Sequence, residues 1–111
     1  MRDTTEHLRV IQEAVVRIMK YASKGHSFFE QDELVQSWMI FHLVIIGEAM
    51  GLMPQMFRNL HPEIQWKQFI DMRDALIDRY YDIDQNRVWA MVENDIPSLK
   101  ANVGTILAEQ G

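Results

Sequence analysis

The sequence contains no cysteine. Disulfide staples, thiolate metal sites and a cysteine nucleophile are therefore excluded, and the chain suits a reducing cytoplasm. Proline and glycine are sparse, 3 and 5 in 111 residues, with no low-complexity linker and no internal repeat. Long apolar runs are missing too. The most apolar window, "WMIFHLVII", is too short to span a bilayer, and the opening "MRDTTEHLRVIQ" lacks the apolar stretch of a signal peptide. No membrane association is expected. Positive charge is in deficit: 11 Lys and Arg stand against 16 Asp and Glu, a formal net charge of -5. Such a chain is not a generic polyanion binder, because that binding comes from Lys and Arg neutralising phosphates. A nucleic acid would have to enter a locally basic cleft.

What is present is ordinary for a soluble globular protein: 48% hydrophobic and 24% charged residues. The length fits one domain, residues 1–111, with a modest core. Eight methionines point to adaptable packing, in a core or at a partner surface.

Apolar residues at spacings of three and four dominate, the signature of helices. A first helix is expected from about Thr4 to Ala22, with Leu8, Ile11, Val15, Ile18 and Ala22 on one stripe and Asp3 with Glu6 as a capping arrangement. "SKGHS" breaks it. A second helix, about Asp32 to Gly51, is capped by Asp32 and ends before Pro54. Leu34, Trp38, Phe41, Val44 and Ile45 make it apolar nearly all round, so it is central or lies in an interface. Glu48 sits in that environment, and Gly47 permits another backbone to come close. "HPEIQW" reads as a loop or short turn, then a third helix runs from Trp66 to about Arg79. "YYDID" is a connection whose Asp84 caps the next helix; Val88, Val92, Ile96, Leu99, Val103, Ile106 and Leu107 continue the rhythm across Pro97, read as a kink or a restart capped by Asp95. No stretch alternates like a strand. The expected fold is all-α, an antiparallel bundle of four or five helices.

Familiar catalytic patterns are missing. His7, His26, His42 and His61 are scattered, with neither Glu-x-x-His nor His-Glu-x-x-His, and Asp3 with His7 reads as a surface pair. No metal is expected. "GEAMG" lies within a helix pattern and has no lysine after it, so it is not a phosphate cradle. The serines have no surrounding triad motif. The segment that remains is "RDALIDRYYDID". On spacing alone it reads as a charged helix face, with Asp74 and Asp78 one turn apart and Arg73 pairing with neighbours. Tyr80 and Tyr81 read as packing residues with wet hydroxyls.

Several segments in order resemble the HepT family (the former DUF86 group) of the HEPN superfamily. They are "VIIGEAM", "HPEIQWKQFIDMRDALI" and "YYDIDQNRVWAMVENDIPSL", which with the second helix cover residues 32 to 100. The resemblance implies a HEPN helical bundle and a metal-independent RNase toxin of a type VII (HEPN/MNT) toxin–antitoxin system, without a cofactor. The family motif is Arg, a polar residue, three more residues and His, usually extended to His-x-Tyr. Arg73, Asp74 and Tyr80 match it, and Asp78 stands at the histidine position. The resemblance further implies a homodimer that brings two motifs together across a cleft, and transfer RNA or messenger RNA as substrate. It also implies an MNT-type nucleotidyltransferase antitoxin that transfers AMP to Tyr80, with Tyr81 as the competing acceptor.

The departure at Asp78 matters physically. Metal-free RNA cleavage needs a 2′-hydroxyl deprotonated, a leaving oxygen protonated and phosphorane charge stabilised. Arginine holds phosphate with a planar fork of donors, and histidine titrates near neutrality. A carboxylic acid of ordinary acidity, pKa about 3.9, has no proton to give at pH 7. Asp78 is also expected to pair with Arg73 and occupy it. The chain is therefore expected to have the nuclease scaffold and little nuclease activity. The alternative is a non-catalytic HEPN module that dimerises and binds an antitoxin or RNA; a purely structural helical protein would leave "RDALIDRY" and its ordered flanks unexplained.

Overall fold

In the computed structural model, which describes residues 4–110, the chain folds as α1 (Thr4–Ala22), α2 (His26–Gln31), α3 (Glu33–Gly51), α4 (Gln55–Leu60), α5 (Trp66–Asp78), α6 (Gln85–Asn94) and α7 (Ile96–Gln110). The fold is all-α. Five helices have ten or more residues, and α2 and α4 are six-residue additions in the stretches between the expected helices. Gly25 explains the break before α2: its φ of 94° lies in the left-handed region that glycine tolerates.

The long helices form where the apolar rhythm predicts. On α1, Leu8, Ile11, Val15 and Ile18 are fully buried, one face turned into the bundle. Asp3, expected to cap α1 and to sit beside His7, lies outside the described residues. Asp32 caps α3, its Oδ1 accepting from the backbone N–H of Leu34 at 2.9 Å and Val35 at 3.3 Å. Asp84 caps α6 in the same way, accepting from Asn86 at 3.0 Å and Arg87 at 3.3 Å. Each cap supplies acceptors to N–H groups that the helix itself leaves unpaired.

Pro97 marks a restart: α6 ends at Asn94 and α7 begins at Ile96. Proline is tolerated there because a first-turn N–H has no intrahelical acceptor to lose. The Asp95 side chain is not the cap. Its Oδ2 accepts from Nε2 of Gln68 at 2.9 Å, tying α5 to the α6–α7 junction, while its backbone carbonyl accepts from Leu99 N–H at 3.0 Å.

Helix α3 is central and packs most extensively on α5 and α1. By length and composition alone this helix could cross a membrane, which the short window "WMIFHLVII" does not reveal. In the bundle Val35, Met39, Leu43, Ile46 and Met50 are covered by neighbouring helices. His42 is buried as well, donating from Nδ1 to the carbonyl of Trp38 at 2.8 Å. Met39, Met50, Met53, Met72 and Met91 all lie in the core, so the methionine richness is chiefly interior packing; Met56 is exposed. The outer side of α3 is different. Leu34 and Phe41 are 82% and 61% exposed, and with half-buried Ile45, exposed Glu48 and exposed Leu52 they form one stripe along the helix.

Candidate active site

The site is built where α3 crosses α5. Gly47 is buried on α3, and a Cβ placed there would fall 2.3 Å from the Cβ of Arg73 and 3.0 Å from the carbonyl oxygen of Phe69. Only a residue without a side chain lets α5 approach this closely. The contact fixes the base of the Arg73 side chain. Its guanidinium then runs toward the end of α3. Nη1 lies 3.2 Å from Oε1 of Glu48, and Nε donates to Oδ1 of Asp74 at 2.7 Å. A Cβ on Gly51 would meet Nη1 at 3.6 Å and Nη2 at 3.9 Å.

Arg73 is thus pinned between a carboxylate of its own helix and one from the facing helix. Partial burial works against its charge, but the bond and charge of Asp74, then of Glu48, outweigh that, and its pKa is raised. The side chain is 20% exposed while both carboxylates are 55% exposed. A ligand that displaced them would find an oriented fork of donors already in place.

The other motif residues fall on different ground. Asp74 is at the arginine, accepting from its Nε. Asp78 is the last residue of α5 and is exposed, with no ion pair or hydrogen bond to its side chain among the described residues. The expected Asp78–Arg73 pair does not form. Five residues advance the helix by about 140°, so the two side chains leave α5 on different faces. Arg79 pairs instead with Asp82 at 3.1 Å across the turn that follows. Tyr80 and Tyr81 lie in that turn, 77% and 74% exposed, with their rings edge to face at 5.7 Å. They are surface groups, not packing residues.

Glu48 is the site residue that sequence reading placed wrongly. It was expected within the apolar environment of its helix, yet it stands on the outer stripe and faces Arg73. The adjacent Gly47 carried the signal: a glycine in mid-helix marks where a second helix comes close. Among the described residues, no three His, Asp or Glu side chains converge to hold a metal ion. The remaining charges of the segment are ordinary surface pairs, such as Lys67 with Asp71 at 2.6 Å.

The chain is similar to proteins of one ribonuclease family. The model of a family described as "Ribonuclease HepT-like" matches residues 11–106. A protein of Thermococcus cleftensis named "Probable ribonuclease HepT" is 39% identical over 100 residues, covering 89% of this chain and 91% of its own. A Methanocaldococcus jannaschii protein named "Gamma-glutamylcyclotransferase and putative RNase" is 35% identical over 109 residues, 97% of this chain; the chain spans 49% of that protein's length. A "Putative RNase" of Caldanaerobacter subterraneus is 35% identical over 89 residues, 78% of this chain and 80% of its own. No solved structure matches.

Proposed function

This chain belongs to the HepT-like ribonuclease family, and from that premise we propose that it is an RNase toxin of a type VII (HEPN/MNT) toxin–antitoxin system in which Asp78 disables the cutting step. One observation carries the reading. Arg73 is oriented and partly sheltered at the α3–α5 crossing, while the position that should handle protons holds an unpartnered carboxylate.

In metal-independent cleavage the ribose 2′-oxygen attacks phosphorus and the bond from phosphorus to the 5′-oxygen breaks. The 2′ proton goes to a base, and a proton must reach the departing oxygen. Arg73 supplies the part that needs no proton transfer. Its guanidinium can take a non-bridging phosphate oxygen in exchange for Glu48 or Asp74 and hold the charge that grows on the phosphorane. Asp74 keeps the fork in register. Asp78 puts a carboxyl group where the motif has an imidazole, so the side chain suited to pass a proton to the leaving oxygen is missing. General acid–base catalysis is worth about a hundred- to ten-thousand-fold, and that factor is what this chain forgoes.

Two further features support the family's regulation and assembly. Tyr80 stands exposed just beyond α5, where its oxygen could attack the α-phosphate of ATP held by an MNT-type nucleotidyltransferase antitoxin. Pyrophosphate would leave, the phenolic proton would be lost, and the adduct would crowd the RNA path. The exposed stripe of α3, from Leu34 through Phe41 to Leu52, supports a homodimer, since apolar rows of this kind gain by being covered. The same stripe favours the second reading, a non-catalytic module that dimerises and binds antitoxin or RNA.

The Asp78→His variant separates them. On a labelled RNA the variant should cut at least about a hundredfold faster than the unaltered chain. Measurable cutting at equal rates by the two proteins would overturn the account of Asp78, and no cutting by either would favour the binding module.

A further inference from the structure

A second arginine, outside the motif, shares a residue with the first. Arg58 on α4 donates from Nη2 to the carbonyl of Gly51 at 3.1 Å, and the guanidinium of Arg73 reaches the same glycine. Both cations therefore lie at the end of α3 beside Gly51, where the helix presents partial negative charge. They differ in what neutralises them. Arg73 is paired with Glu48 and Asp74, whereas Arg58 has no carboxylate partner among the described residues. Its Nε–H is shielded from water and lacks an acceptor, so the side chain is under-satisfied in the free protein.

Arg58 lines a groove of about 890 Å³ between α4 and the first half of α5. The other charges there, Lys67 and Asp71, neutralise each other at 2.6 Å. The groove therefore keeps the charge of Arg58, on a chain whose net charge is -5. Its walls combine apolar surface from Ile70 with side-chain amides. Gln55 donates from Nε2 to Oδ1 of Asn59 at 3.0 Å, and among the described residues the carbonyl of Gln55, the NH2 of Asn59 and the side chain of Gln65 have no partner. An uncompensated guanidinium suits phosphate, amide edges can pair with an unstacked base, and the volume is that of a small-ligand site.

We propose that this groove seats a nucleotide next to the scissile phosphate, with Arg58 on its phosphate and the amides of Gln55, Asn59 and Gln65 at its base. The proposal rests on the ribonuclease reading and adds a path to it: the RNA strand crosses Gly51 from Arg73 to Arg58. It also answers how so acidic a chain can hold RNA. The strand meets one cation that lacks a carboxylate partner among the described residues, Arg58, and one that can exchange its partners, Arg73.

The test uses the unaltered chain and a short fluorescein-labelled single-stranded RNA of mixed sequence, with binding followed by anisotropy over a range of salt. Arg58→Gln should weaken binding about three- to tenfold. It should also reduce the slope of log K against log salt by about 0.7, the effect of one phosphate contact on a single strand. Gln65→Glu places a negative charge in the groove at a helix start, where an acid does not harm the fold, and should weaken binding as well; it decides the matter if Arg58→Gln melts early by circular dichroism. If Arg73→Gln weakens binding while Arg58→Gln and Gln65→Glu do not, the groove is not part of the RNA path and the ribonuclease reading stands. If the unaltered chain binds no RNA, both fall.

Discussion

Gly47 and Arg73 touch so closely that a single added methyl group would overlap the arginine's Cβ, at 2.3 Å. The helix crossing and the placement of the motif's cation are thus one structural fact.

Replacing Gly47 by alanine should therefore do two things at once. The helices must part or Arg73 must shift, and overpacking of this kind costs about 1–3 kcal/mol. Urea denaturation measures the loss. A helix-propensity gain from alanine would act the other way, so unchanged or increased stability would show that α3 and α5 have slack at the crossing.

Glu48 holds Arg73 from the facing helix with a side chain that is 55% exposed. Such pairs contribute little to stability, about 0–1 kcal/mol, so Glu48→Gln should melt close to the unaltered chain. RNA binding should tighten, because one of the two carboxylates that compete with phosphate for the guanidinium would be gone. Weaker binding would mean that Glu48 serves as a positioning residue for the guanidinium.

Asp95 gives a pH signature. Burial raises its pKa and the bond from Gln68 lowers it, with a net rise. The folded protein therefore binds this proton more readily than the unfolded chain does, and stability from this group falls as pH rises through the interval between the unfolded and the folded pKa. Asp95→Asn keeps an acceptor for Gln68 and removes the charge. Thermal melts should find Asp95→Asn the more stable at pH 7, with the difference narrowing as acid protonates the aspartate in the unaltered chain. A difference independent of pH would exclude this cause.

Tyr80 and Tyr81 are nearly equally exposed, so accessibility alone does not choose between them as an AMP acceptor. Incubation with a cognate nucleotidyltransferase and ATP, followed by peptide mass spectrometry, should show one AMP added at Tyr80 and none in Tyr80→Phe. An adduct that persists in Tyr80→Phe and disappears in Tyr81→Phe would move the assignment by one residue.

Much of the fold was readable because it depends on local pattern. Leu8, Ile11, Val15 and Ile18 mark one face of α1 by spacing alone, and Asp32 and Asp84 announce their helices as caps. The short helices α2 and α4 were missed since six residues hold fewer than two turns and no period can be counted. In the candidate site, Arg73, Asp74 and the oddity of Asp78 stood out through ordered motifs. The partner of Arg73 did not. Glu48 is 25 positions away in sequence, and only the crossing permitted by Gly47 brings it to 3.2 Å. The expected pair with Asp78 failed because neighbours in sequence on a helix need not share a side.

Glu48 belongs at once to the outer row of α3 and to the ion pair with Arg73. On the dimer reading, a second copy covering that row would strip water from the carboxylate and tighten its grip on the arginine. A phosphate that captured the arginine would instead strand an anion at the seam. Subunit association and substrate occupancy would then be thermodynamically linked through this one carboxylate, each altering the other's equilibrium by the same factor.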